Sequence, residues 1–115
     1  MRFVDNCPVK YALGILQGKW KFQVLWELAH AESVRFNELQ RRVDGISSLM
    51  LSKTLKELEA DGLVSRHQFN EIPPRVEYSL SELGADLEEV LRELGDWGQK
   101  AQSRARVSAI ACSAS

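Results

Sequence analysis

A row of hydroxyl and ammonium side chains at helical spacing is the group best suited to contact another molecule. Its members are Ser47, Ser48, Ser52, Lys53 and Lys56. Serine hydroxyls donate and accept hydrogen bonds, and lysine ammonium groups attract phosphates, so these side chains could contact base edges and the backbone of a nucleic acid. The competing interpretation is a solvated helix face in which serine serves only for capping.

The thiol of Cys7 is the second group that could react. Cys7 comes directly before Pro8 at the predicted start of a helix, and Lys10 is close in sequence. A helix N-terminus and a nearby ammonium group both favour the thiolate, which is the form that oxidants and electrophiles attack. Cys112 could resolve a sulfenic acid at Cys7 as a disulfide, within one chain or across a dimer. The alternative is that Cys7 is a small buried apolar residue.

Residue patterns typical of enzymes and metal sites are missing from the sequence. The two histidines, His30 and His67, are not part of a nucleophile motif, and no glycine-rich phosphate loop is present. The two cysteines lie near opposite ends, which excludes a paired-cysteine zinc motif. We therefore expect a protein that is not an enzyme, without catalytic residues, cofactor or metal.

The polar row lies on the fourth of five predicted helices. Apolar spacing and capping residues place the helices at Pro8 to about Leu16, about Lys19 to His30, Phe36 to Val43, about Ser48 to Ala60, and from Ser81 onward. Asp44-Gly45 ends the third helix, and Asp61-Gly62 ends the fourth. A helix, a tight turn and a second helix in this order are typical of a helix-turn-helix.

Two β-type runs follow the fourth helix and predict a hairpin. They are Leu63 to Phe69 and Arg75 to Leu80, and Pro73-Pro74 stiffens the tip between them. The predicted fold is mainly α with a small β-hairpin wing, that is, a winged helix-turn-helix. Most small modules of this shape place the second helix of the motif in a DNA groove.

The terminal helices carry more apolar surface than a small domain needs, which predicts a homodimer. We expect the interface to use Val9, Leu13, Leu16, Leu87, Val90, Leu91, Leu94 and Trp97. The predicted domain therefore spans residues 1–101 with dimerisation helices at both ends, and residues 102–115 form a C-terminal tail.

The net charge of the 115-residue chain is −1, which by itself does not favour a nucleic-acid partner. Residues 35–75 contain seven basic and six acidic residues, whereas residues 76–98 contain one basic and seven acidic residues. The acidic excess therefore lies in the last helix, away from the polar row. No apolar stretch is long enough for a membrane span or a secretory signal, so we expect a cytoplasmic protein without a membrane partner.

Five clusters of residues occur in order along the chain between about Cys7 and Gly98. They are Cys7-Pro8-Val9; Gly18-Lys19-Trp20; Arg35-Phe36-Asn37-Glu38-Leu39; Gly45-Ile46-Ser47 with Leu51 and Leu58-Glu59-Ala60-Asp61-Gly62-Leu63-Val64; and Pro73-Pro74-Arg75-Val76-Glu77-Tyr78-Ser79-Leu80 with Leu83-Gly84. In these clusters the sequence resembles the HxlR-type winged helix-turn-helix regulators, which are related to the MarR regulators. It departs from them at Gln17, where many members have glycine.

This resemblance implies a dimeric transcription factor that binds double-stranded DNA at inverted-repeat operators. The polar row would then enter the major groove, and Arg75 with Pro73 and Pro74 would contact DNA from the wing. Arg66 and Gln68 are secondary wing candidates, and Arg41 and Arg42 would approach phosphates. Several members of the family use a cysteine at the position of Cys7 to sense quinones, aldehydes or oxidants, which implies an oxidant or small-molecule effector.

The sequence leaves two alternatives open. Arg75 could instead form a cross-strand ion pair with a nearby carboxylate. The module could also bind a protein through the fourth helix without binding DNA, which exposed Leu49 and Met50 would favour and the polar row would oppose.

Overall fold

The computed structural model describes the backbone of residues 7–114 and the side chains of residues 7–106, and over this range the chain forms helices and a small antiparallel sheet. The helices are α1 (Pro8–Leu16), α2 (Lys21–Ala29), α3 (Phe36–Arg42), α4 (Ser48–Ala60) and α5 (Glu82–Ala114); the strands are β1 (Val34–Arg35), β2 (Val64–Phe69) and β3 (Arg75–Leu80). The chain divides into two units between Ala85 and Asp86, and the first unit contains everything from α1 to the first turn of α5. The predicted fold class is confirmed.

Most element boundaries agree with the sequence prediction, and α1, α4 and β3 agree at both ends. Helix α2 begins two residues later than predicted, because Gly18 has a positive φ of 127° and Trp20 is the N-cap. Strand β1 was not predicted. It has only two residues, and it pairs with β3 through Val34 opposite Tyr78 and Arg35 opposite Glu77.

The sheet has the order β1-β3-β2, and both pairings are antiparallel. The β2–β3 hairpin runs from Val64 opposite Leu80 to Phe69 opposite Arg75. It is the predicted wing, and its tip is the segment 70–74 that contains both prolines.

Leucine and valine side chains of α2, α3 and α4, with Val43 directly after α3, form the core of the first unit. The fully buried ones are Val24, Leu25, Leu28, Leu39, Val43, Leu51, Leu55 and Leu58. Phe36 is half-buried at the start of α3. Phe22 and Trp26 of α2 are also half-buried, and they stack on each other with ring centroids 5.9 Å apart.

The junction between α4, the wing and α5 is held by one serine. The Ser81 hydroxyl donates a hydrogen bond to the Gly62 carbonyl at 2.6 Å and accepts one from the Gly84 backbone N–H at 3.0 Å. Gly62 has a φ of 80°, and the Leu63 N–H returns to the Leu58 carbonyl at 2.9 Å, which ends α4 as the sequence predicted. This junction fixes the end of α4 relative to the start of β2.

Helix α5 continues to Ala114, so the predicted tail extends the last helix. The side chain of Cys112 lies outside the described residues, and its predicted role as a resolving thiol stays a prediction. No helix in the described part of the chain is long and apolar enough to cross a membrane.

Candidate nucleic-acid interface

Helix α4 leaves the predicted polar row accessible, with its two lysines on the side opposite the buried leucines. Ser48, Lys53 and Lys56 are exposed and Ser52 is half-buried, whereas Leu51, Leu55 and Leu58 are fully buried. Because the buried leucines hold one side of the helix against the core, the other side is presented in a single orientation. The structure thus brings the serines and lysines of this row together on one accessible face.

Ser47 fixes the start of that face. Its hydroxyl oxygen accepts a hydrogen bond from the Met50 N–H at 3.1 Å, and its carbonyl accepts from the Leu51 N–H at 2.9 Å. This is the predicted N-cap. The Ser47 hydroxyl proton is not used by this bond and can be donated to a ligand.

Two acidic residues at the other end of α4 pair with one lysine from α2. The Lys21 ammonium nitrogen lies 3.5 Å from a carboxylate oxygen of Glu57 and 3.8 Å from one of Asp61. Neither Lys53 nor Lys56 forms an ion pair within the described part of the chain. Their ammonium groups therefore determine the charge at the centre of the exposed face.

The two arginines of α3 share one carboxylate. Arg41 and Arg42 both donate hydrogen bonds to Glu38, one to each carboxylate oxygen. These bonds, that of Arg41 first, hold the pKa of Glu38 below its ordinary value of 4.5. Arg41 remains largely exposed, with 74% of its side-chain surface accessible, and together the three residues carry one net positive charge.

Arg75, the leading candidate on the wing, is held by other wing residues. Its guanidinium contacts a carboxylate oxygen of Glu71 at 3.2 Å and one of Glu77 at 3.3 Å, and it lies over the Phe69 ring with its carbon 4.0 Å from the centroid. Its buried Nε is close enough to Glu77 for ion pairing but is not aligned for a hydrogen bond. Arg75 is thus ion-paired, but not across strands as the sequence left open: Glu77 lies on the same strand, β3, and Glu71 lies in the tip of the hairpin.

The other wing candidates are accessible. Arg66, Gln68, Pro73 and Pro74 are all exposed, and Arg66 has only a long contact of 3.5 Å to Gln68. An open groove of about 1010 Å³ lies between the wing tip and the segment from Ser33 to Arg42. Ile72, which the sequence did not single out, is fully exposed beside the prolines.

Leu49 is an apolar residue on the same exposed face of α4. It is 78% exposed and lies among the serines and lysines of the polar row. A helical projection of the sequence would have placed it there, since Leu49, Lys53 and Lys56 are spaced i, i+4 and i+7. The predicted DNA-contact set therefore omitted an apolar side chain at its centre.

The remaining candidates lie elsewhere in the chain. Cys7 is buried, and its carbonyl accepts the Tyr11 N–H at 3.0 Å in the first turn of α1. Among the predicted dimer residues, Val9, Leu13, Val90, Leu94 and Trp97 are exposed, Leu16 and Leu87 are half-buried, and Leu91 is buried.

No cluster of three or more histidine, cysteine or acidic residues within the described ranges could hold a metal.

The order of elements, the capped α4 and the β2–β3 hairpin define a winged helix-turn-helix of the MarR type. The chain belongs to the HxlR family, because the family model for the HxlR-like helix-turn-helix matches residues 15–106.

Known proteins similar to this chain are transcriptional regulators. An uncharacterized HTH-type transcriptional regulator of Halalkalibacterium halodurans is 43% identical over 100 residues, which cover 87% of this chain and 88% of the relative. The reduced form of the redox regulator HypR has a TM-score of 0.80 at 37% identity, covering 87% of this chain and 98% of HypR. A regulator described as of the MarR family, from Enterococcus faecalis V583, has a TM-score of 0.79 at 42% identity, covering 92% and 97%. The protein is a transcriptional regulator with a helix-turn-helix.

Proposed function

We propose that the protein binds double-stranded DNA sequence-specifically, as a homodimer on an inverted-repeat operator, with the N-terminal half of α4 in the major groove. One observation carries the proposal, namely that Lys53 and Lys56 are exposed opposite a row of fully buried leucines and that Ser48 is exposed at the start of the same helix. A helix held in this way can present base-contacting side chains with little loss of conformational entropy on binding. The placement of the same motif in relatives that are transcriptional regulators supports the proposal.

The roles of the residues differ with their surroundings. Ser47, Ser48, Ser52 and Lys53 lie in the part of α4 that enters the groove, where they contact base edges. Lys56, one turn later, contacts a phosphate, as do Arg41 and Arg42 from α3.

The wing adds a second contact to the backbone or the minor groove. Arg66, Gln68, Pro73 and Pro74 are exposed and available for it. Arg75 contributes only by exchanging a carboxylate partner for a phosphate, because Glu71 and Glu77 already contact its guanidinium.

Homodimerisation would place two copies of α4 on the two half-sites of an inverted repeat. Exposed apolar side chains support it: in α1, Val9 and Leu13 are 67% and 63% exposed, and in α5, Trp97 is 65% exposed. A second copy would remove these side chains from water. Light scattering at micromolar concentration tests this part, and a monomer would overturn it.

We further propose that oxidants or electrophiles switch operator binding through Cys7, in a cytoplasmic protein. The support is the position of Cys7 as N-cap of α1 and the similarity to the redox regulator HypR. Burial of Cys7 opposes the proposal in part, since a buried thiol reacts slowly. Oxidation of the reduced protein with diamide, followed by measurement of operator affinity, tests this switch.

Selection from a pool of random-sequence duplexes tests DNA binding and identifies the operator in the same experiment. We expect the full chain to enrich one inverted-repeat sequence and to bind it more tightly than a scrambled duplex in a gel shift. A protein-interaction module without DNA binding is the second candidate function, and the exposed Leu49 and Met50 favour it. A pool that yields no enriched sequence would overturn the proposed function.

A further inference from the structure

Leu49 is the most exposed large apolar side chain of α4, and it lies in a polar and basic surrounding; Met50, the next residue, is 37% exposed. Leu49 is 78% exposed, and Ser48, Ser52, Lys53 and Lys56 are its neighbours on the helix. At 3.6 residues per turn, Leu49 lies about 160° around the helix from buried Leu51 and about 180° from buried Leu58. It therefore points directly away from the core.

Leu49 lies in the N-terminal part of α4, which is the part that would contact DNA bases. Ser47 is the N-cap, and Leu49 is thus the second residue of α4. The first turns of a recognition helix are those that contact base edges, while later turns pass toward the phosphates. An apolar side chain there can replace its contact with water only by contact with an apolar group of the DNA.

The major-groove edges of the four bases offer one such group, the 5-methyl of thymine. Guanine, cytosine and adenine present hydrogen-bond donors, acceptors and C–H groups at this edge, but no methyl group. A protein partner fits the surroundings less well, because an interface on this face would bury Lys53 and Lys56 around a single leucine. The surroundings of Leu49 thus favour DNA as the occupant of this face.

We propose that Leu49 is a specificity-determining residue that reads thymine through its 5-methyl group in each operator half-site. This inference rests on the proposed function, and it specifies which base Leu49 contacts, thymine, and which group of that base, the 5-methyl. Polar contacts from Ser48 and Lys53 would surround this apolar contact and exclude water from it.

Replacing single thymines by deoxyuridine in the selected operator removes only the methyl group and tests the inference atom by atom. Burying one methyl contributes about 0.8 kcal/mol, so replacing the one contacted thymine of a single half-site should lower the affinity of the unsubstituted protein about fourfold. In Leu49→Ala the same replacement should have almost no effect, because the partner of the methyl is already gone. Alanine is a good helix former at an exposed position, so α4 should stay folded.

Two further variants control the comparison. Leu49→Met keeps an apolar side chain and should retain most of the sensitivity to the methyl group. Leu83→Ala removes another exposed leucine, in the first turn of α5, and should show the same fourfold ratio as the unsubstituted protein.

The outcomes separate this inference from the function on which it rests. Selective binding in which no thymine is sensitive to deoxyuridine, or in which Leu49→Ala keeps the full sensitivity, overturns the role of Leu49 and leaves the proposed function standing. A pool without an enriched sequence overturns both.

Discussion

Arg75 lies over the ring of Phe69, with its guanidinium carbon 4.0 Å from the ring centroid. The two residues are directly opposite each other at the end of the β2–β3 ladder. Glu71 and Glu77 flank the guanidinium, and only 28% of the Arg75 side-chain surface is exposed. Arg75, the leading basic candidate of the wing, is thus held by residues of its own hairpin. Its positive charge is already paired with carboxylates in the absence of DNA.

Removing one carboxylate from this arrangement should strengthen DNA binding. We expect Glu71→Gln to raise affinity and to steepen the dependence on salt, because the Arg75 charge becomes available to a phosphate. Arg75→Ala should have the opposite effect and give a shallower salt dependence. Fluorescence anisotropy with an operator duplex at several salt concentrations measures both.

The control is Glu89→Gln, which removes the same charge from α5, outside the wing. Equal effects of Glu71→Gln and Glu89→Gln would mean that only the overall charge matters. An unchanged slope and affinity in Arg75→Ala would remove this residue from the interface.

Lys53 and Lys56 are both exposed lysines of α4, but they should make different contacts with DNA, Lys53 with a base and Lys56 with a phosphate. We expect Lys53→Ala to weaken binding to the selected operator by about 1–3 kcal/mol and to affect a scrambled duplex less, because a base contact is lost. Lys56→Ala should weaken both duplexes equally, as expected for a phosphate contact. Competition gel shifts at one salt concentration measure the two ratios, and equal losses in Lys53→Ala would reassign it to the backbone.

Gly84 should be intolerant of a side chain. A Cβ at this position would overlap the carbonyl oxygen of Leu63 and lie 3.2 Å from a methyl of Leu80. Gly84→Ala should therefore lower the free energy of unfolding by about 1–3 kcal/mol, as overpacking does. Gly95→Ala, in the same helix but with nothing within 4 Å of a new Cβ, should raise it by up to about 1 kcal/mol. Urea denaturation measures both free energies of unfolding. If the two substitutions changed the free energy of unfolding in the same direction, the prediction would be wrong.

The α3 ion pairs predict how stability depends on pH. Arg41 and Arg42 lower the pKa of Glu38 below 4.5 in the folded protein. A lowered folded-state pKa adds stability above the unfolded-state pKa, and this contribution is lost as the pH falls through the folded-state value. Glu38→Gln should therefore be less stable than the unsubstituted protein near neutral pH, and the difference should shrink in acid.

Without Arg41 and Arg42, the stability difference caused by Glu38→Gln should no longer depend on pH. In a double variant with Arg41→Gln and Arg42→Gln, the further change Glu38→Gln should alter stability equally at neutral and acid pH. Thermal unfolding across this pH range gives the measurement, and a difference that grew in acid would contradict the assignment.

Oxidation should act through Cys7. Diamide removes two electrons and two protons from a pair of thiols, and we expect it to lower operator affinity in the unsubstituted protein but not in Cys7→Ser. Because Cys7 is buried, its reaction should be slower than in the denatured chain. Cys112→Ser distinguishes a bridge between the two cysteines from oxidation with another thiol. Unchanged affinity after complete oxidation of Cys7, measured by mass spectrometry and gel shift, would exclude the switch.

The order of elements and the exposed face of α4 could be predicted from the sequence alone. Leu51, Leu55 and Leu58 are spaced for one buried helix face, and Ser47 and Gly62 mark the two ends of α4. These signals are local, because each depends on residues within one or two helical turns. The same reasoning predicted the two wing strands to within one residue.

The tertiary structure decided which of the candidate side chains are free. Glu77 contacts both Arg75 and the hydroxyl of Ser33, which is 44 residues away in sequence, and the two-residue strand β1 exists only because β3 lies beside it. The Ser33–Glu77 contact and the β1–β3 pairing depend on strand register and on the packing of separate elements, and neither leaves a periodic pattern in the chain. The carboxylate partners of the basic residues are close in sequence, as Glu38 is to Arg41 and Arg42, whereas the contacts that join β1 to β3 required the fold.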